Sequence, residues 1–218
     1  MDPAAFLEDL DRSVKATLAG LGEASAAGAP PAELSVAQLL STALKKELEA
    51  SEEAALWMTR EEDVEVKLAL ARQCGDEAKH YRLIEARLRE LGVDPAKISP
   101  LSGGPTPMYR YLASLETTVE RVAAGQYTRE ALAVVHNQVF IDHCEAQGDG
   151  ATARLYRDVI QPDEAHHHQM GRSILLRLAV TEEAQALARA ASEKTLAIAG
   201  ELQEMVRLKK GILRAPGC

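Results

Sequence analysis

Two segments of this chain place a glutamate three residues before a histidine: Glu77-Ala78-Lys79-His80 and Glu164-Ala165-His166-His167. Residues three apart on an α-helix lie about 60° apart around the axis, so a carboxylate oxygen and an imidazole nitrogen reach one ion. Both steps fall in long runs of helical periodicity, and each such run follows another. Two Glu-x-x-His steps on different helices, each preceded by a further long helix, meet the requirement of a carboxylate-bridged two-metal site in a helix bundle. Carboxylates and imidazoles suit Fe(II) or Mn(II), and the absence of thiolate ligands argues against a zinc-finger-like site.

Facing follows from counting about 100° per residue. In the segment before the first step, the apolar stripe Leu40, Leu44, Leu48, Ala55 and Met58 takes in Glu47, while Glu49, Glu52 and Glu53 fall off it and read as a solvated face. In the next segment Leu70, Cys74, Glu77, Tyr81, Ile84 and Leu88 share a stripe. Two inward carboxylates on facing stripes require protons, cations or metal. Glu47 and Glu77 are also nearly equidistant from the turn near Glu62, so antiparallel folding brings them level. In the second half, a turn near Gly148 sets Glu164 opposite residues near 133. His136 lies 28 residues before Glu164, close to the 30 that separate Glu47 from Glu77, and nearer than Glu130 to the stripe Leu132, Val135, Val139. This favours His136 and leaves Glu130 and Asp142 open. Of the triplet His166-His167-His168, only His167 has ligand spacing; its neighbours read as surface residues or as supports around the ligand set, with a surface metal site as a further alternative. Asp76 and Asp163, each just before a Glu-x-x-His step, either bond the histidine of the other step through its second ring nitrogen or face solvent. Tyr81 and Trp57 read as packing residues.

The elements that must position these groups are helices. Few aromatics and an excess of Ala, Leu, Glu and Arg favour helix over sheet, and the expected fold is all-α. An amphipathic helix covers 3–21, followed by the breaker-rich stretch from Gly22 to Pro31. Ser35 caps a helix to about Arg60, and a second runs from about Asp63 to Leu91, ended by Gly92. Residues 94–107, with four prolines and Gly103-Gly104, form a long crossover. A third helix spans Met108 to about Gln147, with a break expected near Gly125. A fourth covers about Ala151–Ala179, and Thr181 caps a last helix to about Leu213. The organisation expected is an accessory helix and linker over 1–33, a four-helix bundle over 34–180, and an accessory helix and tail over 181–218.

The net charge of -8 disfavours nucleic acid or an anionic membrane as partner. Cys74, Cys144 and Cys218 are odd in number and widely spaced, which fits a reducing compartment better than a disulfide framework. With no leader-like N-terminus and no run of membrane-spanning length, a cytoplasmic location is expected.

Over about residues 35–180 the chain resembles the ferritin-like di-iron carboxylate superfamily, which includes rubrerythrins, di-iron oxygenases and tRNA-modifying hydroxylases. The resemblance rests on Lys46-Glu47-Leu48-Glu49-Ala50, Asp76-Glu77-Ala78-Lys79-His80 and Asp163-Glu164-Ala165-His166-His167. The family has one Glu on the first helix, a Glu-x-x-His on the second, one Glu on the third and a Glu-x-x-His on the fourth. This chain departs at the third helix, where His136 stands at the aligned level. The resemblance implies Glu77 and Glu164 as bridging ligands, Glu47 and His80 on one metal, and His167 with His136 on the other. It implies two iron ions, with manganese or a mixed iron/manganese pair as alternatives. The activity implied is that of an oxygen-activating oxidoreductase or oxygenase, with a reductase as electron donor, a small-molecule substrate and a homodimeric state. The alternatives are a ferroxidase or peroxide-scavenging rubrerythrin-like protein, and a non-catalytic helical binding or structural protein with a degenerate site. Ala153-Arg154-Leu155-Tyr156-Arg157 has the flavour of the tRNA-hydroxylase branch, but the acidic charge opposes it.

Overall fold

The computed structural model describes residues 1–26 and 35–210, and among these the protein is helical with no strand. The helices are α1 (Pro3–Ala26), α2 (Val36–Arg60), α3 (Val64–Glu90), α4 (Pro107–Ala113), α5 (Thr118–Val122), α6 (Glu130–Ala146), α7 (Gly150–Leu155), α8 (Gln161–Leu178) and α9 (Glu182–Lys210). A π-helical segment, Ala123–Arg129, joins α5 to α6 without a break, and a second, Tyr156–Ile160, joins α7 to α8. The third long rod is therefore α5 through α6 and the fourth α7 through α8. Among the described residues, no helix is long and apolar enough to cross a membrane.

The helix signals in the sequence have local causes. Ser35 makes a capping box with Gln38, and Asp63 accepts from the Glu65 and Val66 amides to start α3. Only residues 61–63 separate α2 from α3, which makes the two antiparallel neighbours. Gly92, at φ +80°, ends α3 in the left-handed conformation that glycine adopts at no steric cost. The crossover is clamped to α2: Lys45 Nζ donates to the Ser102 and Gly104 carbonyls, and Glu49 accepts from the Thr106 amide and hydroxyl at 2.9 and 2.6 Å. Glu49 thus serves as a tether and is half-buried, where the periodicity predicts a solvated side chain.

The third rod differs from expectation. Its break falls at residues 114–117, between α4 and α5, and Gly125 lies inside the π segment instead. Every residue from Arg121 to Glu130 is buried, so that stretch has no solvent side. α1 runs past the expected end to Ala26, and residues 27–34 of the expected linker lie outside the described residues, as do Leu213 and Cys218. Phe6, Leu7, Leu10, Val14 and Leu18 of α1 join the same apolar cluster as Trp57, Tyr127 and Leu175, and α9 packs on α1 and on the first π segment.

That cluster forms one end of the core. Leu40 and Leu44 of α2, Ile84 and Leu88 of α3, Phe140 and Ile141 of α6, and Tyr156 and Ile160 of the fourth rod form a second cluster. Between the two, each long rod contributes buried polar residues.

Candidate metal centre

The polar layer holds two overlapping groups. Glu47, Glu77, His80 and Glu164 bring ligand-capable atoms within 4.8 Å of one another, and so do Glu77, Glu130, Glu164 and His167. All six side chains are buried at 0% exposure. Glu77 and Glu164 belong to both groups. His80 Nδ1 lies 3.5 Å from Glu47, 3.4 Å from Glu77 and 3.8 Å from Glu164. His167 Nδ1 lies 3.7 Å from Glu77 and 3.5 Å from Glu164.

The outer nitrogens of the two histidines are fixed by a crossed pair of aspartates. Asp163 of α8 accepts from His80 Nε2 of α3 at 3.0 Å, and Asp76 of α3 accepts from His167 Nε2 of α8 at 3.2 Å. Of the two sequence alternatives for these aspartates, the structure has the bond to the histidine of the other step. An acceptor on Nε2 keeps a proton there, so that a metal ion taking the place of the Nδ1 proton would meet an inward-turned lone pair. Lys79 spans the two aspartates, 2.6 Å from Asp163 and 3.3 Å from Asp76. Partial burial raises both aspartates, but the Lys79 and histidine contacts outweigh it and hold them below the usual carboxylate range.

Inside the layer, donors and acceptors are left over. Neither oxygen of Glu47 has a hydrogen-bond partner, nor has His80 Nδ1 or His167 Nδ1. Orphaned buried polar atoms are costly, and these converge. Burial pulls the His80 imidazole down, but Glu47 and Glu77 beside it more than reverse this and push it up to about 12. Burial, and then the charges of Glu77 and Glu130, raise the Glu164 carboxyl well above its ordinary value. Cations would relieve both effects. Four carboxylates and two neutral imidazoles match two divalent ions in formal charge, and the donor set fits iron or manganese. These buried groups can hold a metal ion.

The sequence-expected residues Glu47, Glu77, His80, Glu164 and His167 therefore meet in one layer, and His136 does not join them. Glu130 stands there in its place, while His136 is half-buried on an adjoining face and Asp142 is exposed. The inward line of α6 is Glu130, Ala133, Asn137, Ile141 and Cys144, whereas Val139 of the expected stripe is 38% exposed. The expected stripe and the observed inward line both lie within regular α6, so the difference is in the choice of stripe: Leu132, Val135 and Val139 are the more apolar, but the face of Glu130 and Asn137 meets the polar layer. The register count from the turn near Gly148 to Glu164 also crosses the second π segment, Tyr156–Ile160.

Three further residues escaped the sequence reading. Glu53, expected on a solvated face, is 1% exposed and accepts from Arg129 Nη1 at 2.7 Å. Arg129 Nη2 also donates to Glu130 Oε1 at 2.9 Å, and Gln73 Nε2 donates to that same oxygen at 2.6 Å. Burial pushes the Glu53 carboxyl up to about 8 despite the opposing pull of Arg129. The far side of α2 is covered by the π segment, which no stripe on α2 itself signals. The run Ala123-Ala124-Gly125 was the one hint that something packs there closely. A Cβ at Gly125 would stand 2.6 Å from Trp57, and one at Gly171 would stand 2.7 Å from the Gln126 and Tyr127 backbone.

The π segment's backbone carbonyls draw on side chains as donors. Ser192 of α9 donates to the Ala123 carbonyl at 3.4 Å, and His168 Nδ1 donates to the Tyr127 carbonyl at 2.7 Å. His168 also stacks on Tyr127 at 5.0 Å between ring centroids, so it braces the segment next to the site, whereas His166 is exposed. Comparison with family models, curated proteins and solved structures finds no match to this chain.

Proposed function

We propose that the chain is a ferritin-like di-metal carboxylate protein that binds two irons and acts as an oxygen-dependent oxidoreductase. One observation carries the reading: two buried donor groups on four rods, sharing Glu77 and Glu164. Glu47 and His80 would hold one ion and Glu130 and His167 the other, with Glu77 and Glu164 common to both. Glu130 supplies the third-helix carboxylate that the family pattern asks for and that His136 had stood in for. Two ferrous ions would supply electrons for dioxygen reduction. The protein's part is to present the inward Nδ1 atoms through Asp163 and Asp76, to keep the carboxylates charged opposite the ions, and to exclude water with an apolar cluster on either side. A separate reductase would return the centre to its ferrous state.

Anaerobic loading with Fe(II), elemental analysis and then oxygen uptake test this reading. Two irons per chain and oxygen consumption tied to bound iron are expected, with Glu77→Ala and Glu164→Ala losing both. One ion or none per chain overturns it. Iron oxidation that no supplied reductant reverses would instead favour the ferroxidase alternative.

A further inference from the structure

The two halves of the centre look equivalent in ligand type but differ in what surrounds the terminal glutamates. Glu47 offers two oxygens, neither engaged by any hydrogen-bond donor. Glu130 has Oε1 taken by both Gln73 and Arg129. Those bonds draw electron density from Glu130 and compete with a metal ion for Oε1. Arg129 also places a full positive charge beside that half, with a side chain 5% exposed and Glu53 as its counter-ion on the far side. On the other half, Lys79 meets Asp163 more closely than Asp76. Its side chain is 44% exposed, however, and water and salt screen it. The buried guanidinium decides the comparison.

We infer that Arg129 and Gln73 are positioning residues whose bonds to Glu130 Oε1, and whose buried positive charge in the case of Arg129, weaken metal binding on that side, so that the Glu47/His80 half fills first and the Glu130/His167 half second. The inference rests on the di-metal reading above. Altering hydrogen-bond partners of a metal ligand typically changes affinity by about 10–100-fold, and a difference on the order of tenfold between the two binding steps is expected here.

The test is an anaerobic Mn(II) titration of the full chain, counting free Mn(II) by electron paramagnetic resonance. The wild-type protein should bind two ions in unequal steps. Glu130→Ala should abolish the weak step and keep the tight one; Glu47→Ala should remove the tight one. Arg129→Gln, which keeps a donor and removes the charge, should strengthen the second step and narrow the gap. Should that variant fail to fold because Glu53 has lost its counter-ion, Gln73→Leu removes one of the two donors on the same oxygen with the Glu53–Arg129 pair intact and should narrow the gap in part. A thermal melt separates these effects from simple loss of structure. Two ions bound with equal affinity, or loss of the tight step in Glu130→Ala, overturns the inference and leaves the di-metal reading standing. Failure to bind two ions overturns both.

Discussion

Replacing Gly171 by alanine adds one methyl group at the closest approach between α8 and the π segment that carries Arg129 toward Glu130. The new Cβ would meet Gln126 C and Tyr127 N at 2.7 Å and Gln126 Cβ at 2.9 Å. Two of these are backbone atoms of a fully buried segment, held by Ser192 and His168, so no flexible side chain can swing away. The rods must separate by several tenths of an ångström, at a cost of about 1–3 kcal/mol for overpacking. Alanine in a helix interior returns about 1 kcal/mol of that through propensity. A net loss of up to about 2 kcal/mol, or a fall of up to about 8 °C in Tm for a chain of this size, is expected. Gly75 is the internal control, because a Cβ there meets nothing within 4 Å on the exposed face of α3. Gly75→Ala should stabilise by about 0.4–1 kcal/mol. Parallel thermal and denaturant melts of the metal-free protein read both signs. If Gly171→Ala raised the melting temperature as Gly75→Ala does, the close packing of α8 on the π segment would be refuted.

Glu53→Ala removes one of the two carboxylates that bond the buried Arg129 guanidinium, Glu130 being the other, and should cost about 1–3 kcal/mol, whereas Glu52→Ala, on the exposed face one residue earlier, should fall within about 0.5 kcal/mol; equal melts would refute the buried Glu53–Arg129 contact. Cys144 is fully buried, and burial pushes its thiol up to about 12, so thiol reagents should leave it unmodified in the folded protein and label it in denaturant, as mass spectrometry of the digested protein would show. Partial burial raises the Asp149 carboxyl, but its bonds to Thr152 and Arg87 outweigh that and lower it on balance. Its folded pKa thus lies below the unfolded one, so the stability it contributes is present above about pH 4 and lost as pH falls through the folded value. Asp149→Asn should therefore lower Tm at pH 7 and lose that effect near pH 2, and a deficit of the same size at both would contradict the assignment.

What the sequence disclosed and what it hid divide largely between the two halves of the chain. On α2 and α3 the 3.6-residue count runs unbroken from the Ser35 and Asp63 caps, and it places Glu47, Glu77 and His80 inward, as they are found. It also marks the α2–α3 turn and the crossover, because glycine, proline and capping residues act locally. It fails in the second half, where the more apolar stripe of α6 is not the one that meets the polar layer, and where the register count from the turn near Gly148 to Glu164 crosses the π segment Tyr156–Ile160. No residue type announces a π turn, and a register carried across one is shifted; hence His136 for Glu130. Glu53 was misread for a different reason. A stripe counted on one helix reveals one contact face, and α2 has a second, against the π segment, where a charged residue is tolerated because Arg129 arrives from elsewhere in the chain.

The π segment and the centre depend on one another. A π turn in a buried rod leaves backbone groups out of phase with the α-helical ladder and persists only where surrounding groups satisfy them. Here α9 and His168 do so from outside, while inside the segment's last residue, Arg129, is gripped by Glu53 and Glu130. Straightening the rod to a plain α-helix would rotate Arg129 and Glu130 away from the polar layer together. It would leave Glu53 buried and unpaired, and would deny Gln73 the carboxylate it bonds. The crossed Asp76–His167 and Asp163–His80 bonds act likewise between α3 and α8, each histidine being oriented by the opposite rod. The donor geometry is thus a property of all four rods at once, and a shift of any one of them reaches the centre through a named bond.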